Sequence, residues 1–397
     1  MKILVVAPQP FFSPRGTPFS VYYRTMITSE LGAEIDFLTY GQGQEVEIPN
    51  VRFLRIPKFR WLGDVKIGPS MLKLFFDIFI AFRMLTMCIR NRYSVVHAHE
   101  EAVFLAYFLK PIFRFKLIYD MHSSLPQQLS NFNFTTSKFL IGIFKRLEDA
   151  CLKKSEAIIT ICPALFDYVN TIIEDKDIHF LIENSIFDPV KLKTPDANQT
   201  SSSTEEVFKK LDITVPEGNK LVVYAGTLED YQGIDILLKA FQLVVDNNCD
   251  AFLLIAGGTT AQVNHYQKLA DDLGISQKVQ FTGRLPQNQA RACTEAADVL
   301  MSPRSAGTNT PLKVYEQLAS GIPLVATNIY SHTQVLHDSV AFLVDPEPES
   351  MAAGLKDAIE SETKVQSVIE NAKRLYEEKY SRRVYTEKMT RLLEIVK

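Results

Sequence analysis

Lys313 and Glu316 stand one turn apart at the start of a predicted helix in "SAGTNTPLKVYEQLASGIP", residues 305–323. The unpaired N–H groups of a helix N-terminus attract anions, and a lysine beside them would strengthen a binding site for a diphosphate. A carboxylate one turn further along could accept hydrogen bonds from sugar hydroxyls. Taken alone, the pattern favours a solvated Lys–Glu pair on an amphipathic helix, so the surrounding sequence must decide between the two interpretations.

The residues on either side of this pair predict where the helix begins and ends. Pro311 suits the first helical position, because its missing N–H would be unpaired there in any case. Thr310 or Asn309 is expected to cap the helix. Gly321 and Pro323 predict its C-terminal end.

Histidines mark the ends of two predicted strands. His122 ends the strand "KLIYDMH", and Asp120 faces the same way in an ideal strand, so both could reach a ligand at the edge of a sheet. His97 and His99 would share one face of another strand, as a metal-binding pair does. No carboxylates are clearly arranged to complete such a site, and the D-x-D spacing at residues 175–177 lies in a charged run typical of solvated side chains. We therefore predict no metal site.

Several familiar motifs are absent from the sequence. No G-x-G-x-x-G follows a predicted strand, which disfavours a dinucleotide-dependent oxidoreductase. The chain also lacks a Walker A lysine, a G-x-S-x-G elbow and an H-E-x-x-H helix.

Short apolar runs alternate with helical patterns along the chain, which predicts parallel sheets covered by helices on both faces. A polar, turn-rich segment, residues 192–208, separates two such sets. The fold class is therefore α/β, with two doubly wound parallel-sheet domains, and ligands are expected beyond the carboxyl ends of the strands. The predicted strands are 2–8, 34–40, 51–57, 94–99, 116–122, 157–162, 221–226, 251–257, 279–283, 298–303, 323–327 and 341–346.

Composition and charge narrow the class of protein. The 397 residues include 46% hydrophobic and 22% charged residues, which is typical of a globular protein with more than one domain. A net charge of −3 gives no reason to expect nucleic acid as a partner. The five cysteines are scattered and form no C-x-x-C pair, which indicates a reducing, cytoplasmic compartment.

One long apolar helix is predicted over residues 69–93. Lys73, Asp77 and Arg83 interrupt its apolar run, so the helix is not expected to span a membrane. The favoured interpretation is a helix packed against the sheet. The alternative is a helix that also touches a bilayer, which predicts peripheral contact of residues 58–92 with the inner membrane face.

Several motifs follow one another in order along the chain. In the first half these are "MKILVVAPQPFFSPRGTPFSVYYR", "VVHAH" and "YDMHSS"; in the second they are "VVYAGTLEDYQGIDILLKAF", "LLIAGG", "VQFTGRLP", "DVLMSP" and "PLKVYEQLASGIPLVAT". Over nearly its whole length the chain resembles a family 4 glycosyltransferase of GT-B architecture. The resemblance implies two Rossmann-like domains facing across a cleft. Residues 1–188 would form the acceptor-side domain, with the C-terminal helix 382–397 packed back on it, and residues 189–381 the donor-binding domain.

The resemblance assigns the second domain to a nucleoside-diphosphate sugar. Its diphosphate would lie over the helix start at Pro311 and Leu312, and Glu316 would hydrogen-bond the ribose hydroxyls. The main chain of Arg284 and Leu285 matches the base-reading position.

The resemblance also assigns residues of the first domain. Gly16 and Thr17 match a loop that closes near the diphosphate and the sugar, and His122 matches a histidine near the reaction centre. The family retains anomeric configuration. It uses no cofactor and no bound metal, because helix dipoles and cationic side chains stabilise the departing diphosphate.

The chain departs from the family pattern at three positions. In the loop that begins at Gly226, the family often has an Arg and a Lys where this chain has Thr227 and Gln232. A glutamate of the family is replaced by Thr308. We expect Lys313 to replace the missing cations.

We therefore expect a retaining transferase that moves a hexose-type sugar to a hydroxyl acceptor, either lipid-linked or a growing cell-surface polysaccharide. Arg304 and Arg15 are further candidates for binding the diphosphate. Two alternatives stay open: a catalytically impaired GT-B module that only binds a nucleotide sugar, and a GT-B enzyme of another reaction type, such as an epimerase or phosphorylase.

Overall fold

The chain divides into two compact units, which we call unit 1 (Met1–Thr194 with Arg382–Lys397) and unit 2 (Pro195–Ser381). The computed structural model describes residues 1–13, 16–59, 70–126, 137–183, 187, 190–192 and 203–397. The predicted domain boundary at 188 and 189, and Arg15, lie outside these residues.

Unit 1 is built on a seven-stranded parallel sheet in the order β3-β2-β1-β4-β5-β6-β7. The strand order reverses between β1 and β4, which is the switch point of a doubly wound sheet. Sequence analysis missed β7, because three residues are too short for a periodic pattern. The strands are β1 (Lys2–Ala7), β2 (Glu34–Thr39), β3 (Val51–Arg55), β4 (Val95–His99), β5 (Lys116–Met121), β6 (Ala157–Thr160) and β7 (His179–Leu181).

Helices follow most of these strands. The described helices of the first part of unit 1 are α1 (Gly16–Glu30), α2 (Met71–Arg90), α3 (Ala102–Phe113), α4 (Lys138–Lys154) and α5 (Pro163–Asn170). None of the helices described in this chain is both long and apolar enough to cross a membrane.

Unit 2 holds a six-stranded parallel sheet in the order β10-β9-β8-β11-β12-β13, with its switch point between β8 and β11. The strands are β8 (Lys220–Ala225), β9 (Ala251–Ala256), β10 (Val279–Gly283), β11 (Val299–Ser302), β12 (Leu324–Thr327) and β13 (Phe342–Val344). The helices are α6 (Thr204–Lys210), α7 (Ile234–Asp246), α8 (Thr260–Asp272), α9 (Gln287–Glu295), α10 (Leu312–Ser320), α11 (Tyr330–Thr333), α12 (Pro348–Glu360) and α13 (Glu362–Lys379).

Both faces of the unit 2 sheet are buried. Val222 and Tyr224 of β8 belong to one apolar cluster, whereas Leu221 and Val223 belong to the other. Because successive strand residues point to opposite faces, a strand covered on both sides is apolar throughout. The predicted fold class, two doubly wound parallel sheets, is confirmed.

The last helix, α14 (Arg382–Ile395), belongs to unit 1. Arg382 lies 2.8 Å from Glu30 at the end of α1, and Lys388 lies 3.1 Å from Glu183. The helix buries Met389 and Leu392.

Candidate active site

Loops from three neighbouring strands of unit 2 meet at the carboxyl edge of the sheet. The backbone must approach closely there: a Cβ on Gly257 would lie 1.8 Å from the Gly226 carbonyl oxygen, and one on Gly233 would lie 2.0 Å from that of Pro303. Both glycines also have positive φ, of 138° and 69°. A side chain at either position would push apart the loops after β8, β9 and β11, next to the switch point where doubly wound sheets bind ligands.

Helix α10 starts beside these loops, but it is capped differently from the prediction. Pro311 is the N-cap, with φ −62° and ψ 133°, and its own side chain makes no capping hydrogen bond. The hydroxyl of Thr310 is buried and has no hydrogen-bond partner among the described residues. The helix begins at Leu312 and ends at Gly321, whose φ of 78° agrees with the predicted C-terminal end. The N-cap residue therefore does not itself occupy the amides at the helix start.

The ammonium group of Lys313 is buried close to this helix start. Its Nζ has no hydrogen-bond partner among the described residues, and it lies 4.1 Å from the centre of the Tyr224 ring. A Cβ on Gly226 would be 3.6 Å from the same Nζ, so the lysine lies under the loop that follows β8. Burial, with a smaller contribution from Arg304, lowers the pKa of Lys313 to about 7. A buried cation without an anion is costly, and an anionic ligand would supply its partner.

A second cation lies beside Lys313. The Arg304 guanidinium donates to the Asn309 carbonyl at 2.9 Å and stacks 5.0 Å from the Tyr231 ring centre. The end of β8, the start of α10 and the loops after β8 and β11 thus bring together two cations and two aromatic rings. Sequence analysis missed Tyr224 and Tyr231, which no motif marked.

Thr227, Gln232, Thr308 and Glu316 of unit 2 were also predicted to bind the sugar donor. The Gln232 amide donates to the Thr227 hydroxyl at 3.4 Å, so these two positions, cationic in the family, interact with each other. Thr308 is exposed, and its carbonyl accepts from the Gln334 amide at 2.6 Å. Glu316 is exposed on α10.

The predicted base-reading pair follows β10. Arg284 is exposed, whereas Leu285 packs against one of the apolar clusters of unit 2. Gly16 and Thr17 belong to unit 1, where they form the first turn of α1.

His122 belongs to a buried polar cluster centred on Asp120 in unit 1. One Asp120 oxygen lies 3.2 Å from His122 Nε2, and the other lies 3.2 Å from both His97 Nε2 and His99 Nδ1. The Arg24 guanidinium of α1 pairs with the same carboxylate and also donates to the Ile182 carbonyl at 2.7 Å. All these side chains lie at or just beyond the carboxyl ends of β4 and β5.

Asp120 sets the charge and the tautomers in this cluster. Burial opposes its ionisation, but Arg24 and the imidazoles outweigh burial and hold the pKa of Asp120 well below its usual range. Burial lowers the pKa of His99 to about 3, so that imidazole is neutral. If His122 donates from Nε2 to Asp120, its Nδ1 is left as an acceptor, and this atom is buried without a partner among the described residues. Such an atom can accept a hydrogen bond from a sugar hydroxyl.

In the structure, Asp120 supplies the carboxylate that was not found beside His97 and His99 in the sequence. His97, His99 and Asp120 offer ligand atoms within 4.8 Å of one another, because β4 and β5 are adjacent strands. Arg24 already supplies a positive charge to this carboxylate, so a metal ion there would face a buried guanidinium. We therefore interpret the group as a hydrogen-bonded ion pair. Arg24 was also missed, although it is the one charged residue between Gly16 and Ser29 of α1.

The sequence of the second unit resembles a known family of enzymes. Residues 205–375 match the family model of glycosyl transferases group 1. Over this segment, unit 2 is similar to the group 1 glycosyl transferases. Strands β8 to β13, the α10 start and Lys313 all lie within the matched segment.

Relatives extend this likeness over the whole chain. Over 363 residues the chain is 24% identical to D-inositol 3-phosphate glycosyltransferase of Corynebacterium aurimucosum, covering 82% of each chain. Sucrose-phosphate synthase of Thermosynechococcus elongatus matches with a TM-score of 0.73 at 15% identity, covering 99% of this chain and 98% of that one. Anabaena HepE, solved with UDP and glucose, matches with a TM-score of 0.69 at 16% identity, covering 99% of each. These structural matches over the full chain show that it has the GT-B fold.

Proposed function

We propose that the chain is a retaining family 4 glycosyltransferase that moves a hexose-type sugar from a nucleoside-diphosphate sugar to a hydroxyl acceptor. The observation that carries this proposal is the buried ammonium of Lys313 at the start of α10, which has no hydrogen-bond partner among the described residues and lies inside the matched group 1 segment. A diphosphate at the helix start would pair with that ammonium and with the amides of the first turn.

The proposed reaction breaks the bond between the anomeric carbon and the diphosphate and forms a new bond to the acceptor oxygen. Lys313, Arg304 and the α10 amides would stabilise the charge that develops on the departing diphosphate, so the proposal needs no metal. Glu316 would accept from the ribose hydroxyls, and the main chain of Arg284 and Leu285 would contact the base.

The acceptor classes that we propose are a lipid-linked sugar and a growing cell-surface polysaccharide. The likeness to D-inositol 3-phosphate glycosyltransferase makes inositol phosphates a further class to include in a screen. UDP is the first nucleotide to test, because the similar HepE was solved with it.

A thermal-shift screen of nucleotide sugars, followed by a transfer assay, tests the proposal. We expect one nucleoside diphosphate and its sugars to stabilise the chain, since ligand at about 100 times its Kd adds about 2.7 kcal/mol. Nucleoside diphosphate should be released only when acceptor is present, and the product should keep the anomeric configuration of the donor by NMR. Epimerisation without acceptor, or an inverted product, would contradict the proposal.

A binding-only module is the second candidate function. It is favoured by the uncharged Thr227, Gln232 and Thr308 at positions that bind donor in the family. Donor binding by calorimetry, without release of nucleoside diphosphate across the whole acceptor panel, would support this candidate over the enzyme.

His122→Ala is expected to lower kcat/KM for transfer about 10- to 100-fold, because a sugar hydroxyl would lose a buried acceptor, at a cost of about 1–3 kcal/mol. Binding of free nucleoside diphosphate should stay unchanged, because in the proposal His122 contacts only the sugar. His265→Ala, which changes a histidine on helix α8, is the control. Equal losses of diphosphate binding and of transfer would show that His122 does not act on the sugar.

Donor binding is expected to weaken about tenfold per pH unit above pH 7. The free Lys313 ammonium has a pKa of about 7, and diphosphate binding requires its protonated form, so binding above pH 7 takes up a proton. Calorimetry with a nucleotide sugar in buffers of different ionisation enthalpy measures this uptake. Lys313→Met should remove it, and a pH-independent affinity in the wild type would contradict the assignment.

A further inference from the structure

Three neighbouring helices of unit 1 expose a large apolar surface. Helix α3 contacts both α2 and α4, so the three form one face, which we call the three-helix face. Ile78 and Phe82 of α2 are 67% and 69% exposed, Ile112 of α3 is 69% exposed, and Phe139 of α4 is 77% exposed. Most exposed large apolar side chains of the described residues lie here: Met71, Leu74, Phe75, Ile78, Phe82, Ile89, Phe108, Ile112, Phe139, Leu140 and Ile143. A patch of this kind marks an interaction surface.

Charges around this face have one sign. In residues 70–114 and 137–156, no acidic side chain is exposed. The exposed charged residues are all basic: Arg83, Arg90, Arg92, Arg114, Lys145, Arg146, Lys153 and Lys154. Because the chain as a whole has a net charge of −3, this positive excess is local.

Helix α2 turns two of its polar side chains inward. Lys73 pairs with Glu101 at 2.5 Å, and Asp77 accepts from the Tyr40 hydroxyl at 2.6 Å. Lys73 and Asp77 are two of the residues that interrupt the apolar run of this helix in the sequence. Their partners inside the unit leave Ile78 and Phe82 facing outward.

A recess of about 310 Å³ lies where α2 and α3 end. Arg90 and Arg92 line it together with Ile89 and Phe113. It therefore combines two guanidinium groups, which bind phosphate well, with apolar walls.

We propose that the three-helix face docks the protein on an anionic lipid bilayer. Its apolar side chains would enter the boundary between headgroups and acyl chains, and its basic residues would contact lipid phosphates. The proposal keeps residues 71–90 (α2) of the predicted contact at 58–92 and adds α3 and α4. Residues 60–69 lie outside the described residues and are not part of the three-helix face. It does not depend on the transfer reaction.

Co-sedimentation of the full chain with vesicles tests this proposal. One set is pure phosphatidylcholine, and the other also contains phosphatidylglycerol. We expect binding to the anionic vesicles only, decreasing as salt is added. Equal binding to both sets, or no binding to anionic vesicles at low salt, would overturn the proposal.

Paired variants separate the two contributions. Lys145→Gln with Arg146→Gln should weaken binding to anionic vesicles about 25-fold, since each basic residue near the surface contributes about fivefold. Ile78→Asn with Phe82→Asn should also weaken it at least tenfold. Controls in unit 1 and unit 2 are Leu31→Asn with Ile395→Asn, and Lys239→Gln with Lys268→Gln. Control variants that lose binding as strongly as the test variants would overturn the assignment of the face.

Two further measurements give independent outcomes. Light scattering of the wild type without vesicles shows whether two copies of this chain associate. If the wild type is a dimer that does not bind vesicles, and Ile78→Asn with Phe82→Asn converts it to a monomer, the three-helix face mediates self-association instead of bilayer binding. Donor binding in vesicle-free solution reports on the proposed transferase separately. Loss of one activity with the other intact therefore shows which proposal has failed.

Discussion

Lys313→Met is expected to lower kcat/KM for sugar transfer about 100- to 1,000-fold, the usual effect of removing one preorganised donor from a developing negative charge. Methionine is an unbranched apolar residue of similar length, and it removes the ammonium that lies over the Tyr224 ring. The cation is buried without a hydrogen-bond partner among the described residues, so its loss should not destabilise the free protein. Activity and stability should therefore change in opposite directions.

The pH dependence of the free energy of unfolding tests whether the buried Lys313 charge opposes folding. The pKa of Lys313 falls from 10.5 to about 7 on folding, so the unfolded chain binds an extra proton between these values, and wild-type stability rises with pH across that range. Below pH 7 the buried charge opposes folding fully. Lys313→Met should be more stable than the wild type at neutral pH, by an amount that shrinks towards pH 10.5.

The control for this variant is Lys268→Met, which changes an exposed lysine on α8 of the same unit. It should affect neither transfer nor the melting temperature. If Lys313→Met kept wild-type turnover of a confirmed donor, Lys313 would not be the cation that replaces the family's missing Arg and Lys.

Arg24→Met is expected to destabilise unit 1 by about 3–5 kcal/mol, because Asp120 would keep its charge in a buried site without its guanidinium partner. Hydrogen exchange of peptides from α1 and β5, together with thermal melting, measures the effect. The exposed pair of Arg383 with Glu387 offers a matched control, and Arg383→Met should cost less than about 1 kcal/mol.

A second substitution tests whether the uncompensated charge is the cause. Arg24→Met combined with Asp120→Asn should be less destabilised than the sum of the two single variants, because the carboxylate charge is gone. Additive losses would mean that Arg24 acts by packing rather than by neutralising Asp120.

The fold was largely predictable because its signals are local. Twelve strands were expected from apolar runs and all are present, whereas β7, with three residues, was missed. The end of α10 was predicted from Gly321, but its cap was not, because Pro311 takes the N-cap position that Thr310 or Asn309 was expected to fill. Which of several neighbouring residues takes the N-cap position cannot be read from the pattern of residue types alone.

The candidate site was predictable only in part. His122, Lys313 and Glu316 were found because they follow strands or begin a helix, positions that sequence alone reveals. Their assigned roles remain predictions. Arg24 and the Tyr224 ring were missed, because each matters through contacts with residues far along the chain or on an adjacent element.

By itself, the sequence determined two parallel α/β sheets and the loops at their carboxyl ends, since strand and helix periods depend on neighbouring residues. The tertiary structure alone decided which charges would be buried. It brought Arg24 across to Asp120, buried Lys313 without an anion among the described residues, and turned Lys73 and Asp77 inward on α2. Burial and pairing arise only when distant segments pack together, and they set the charge state and exposure on which the proposed chemistry and membrane contact depend.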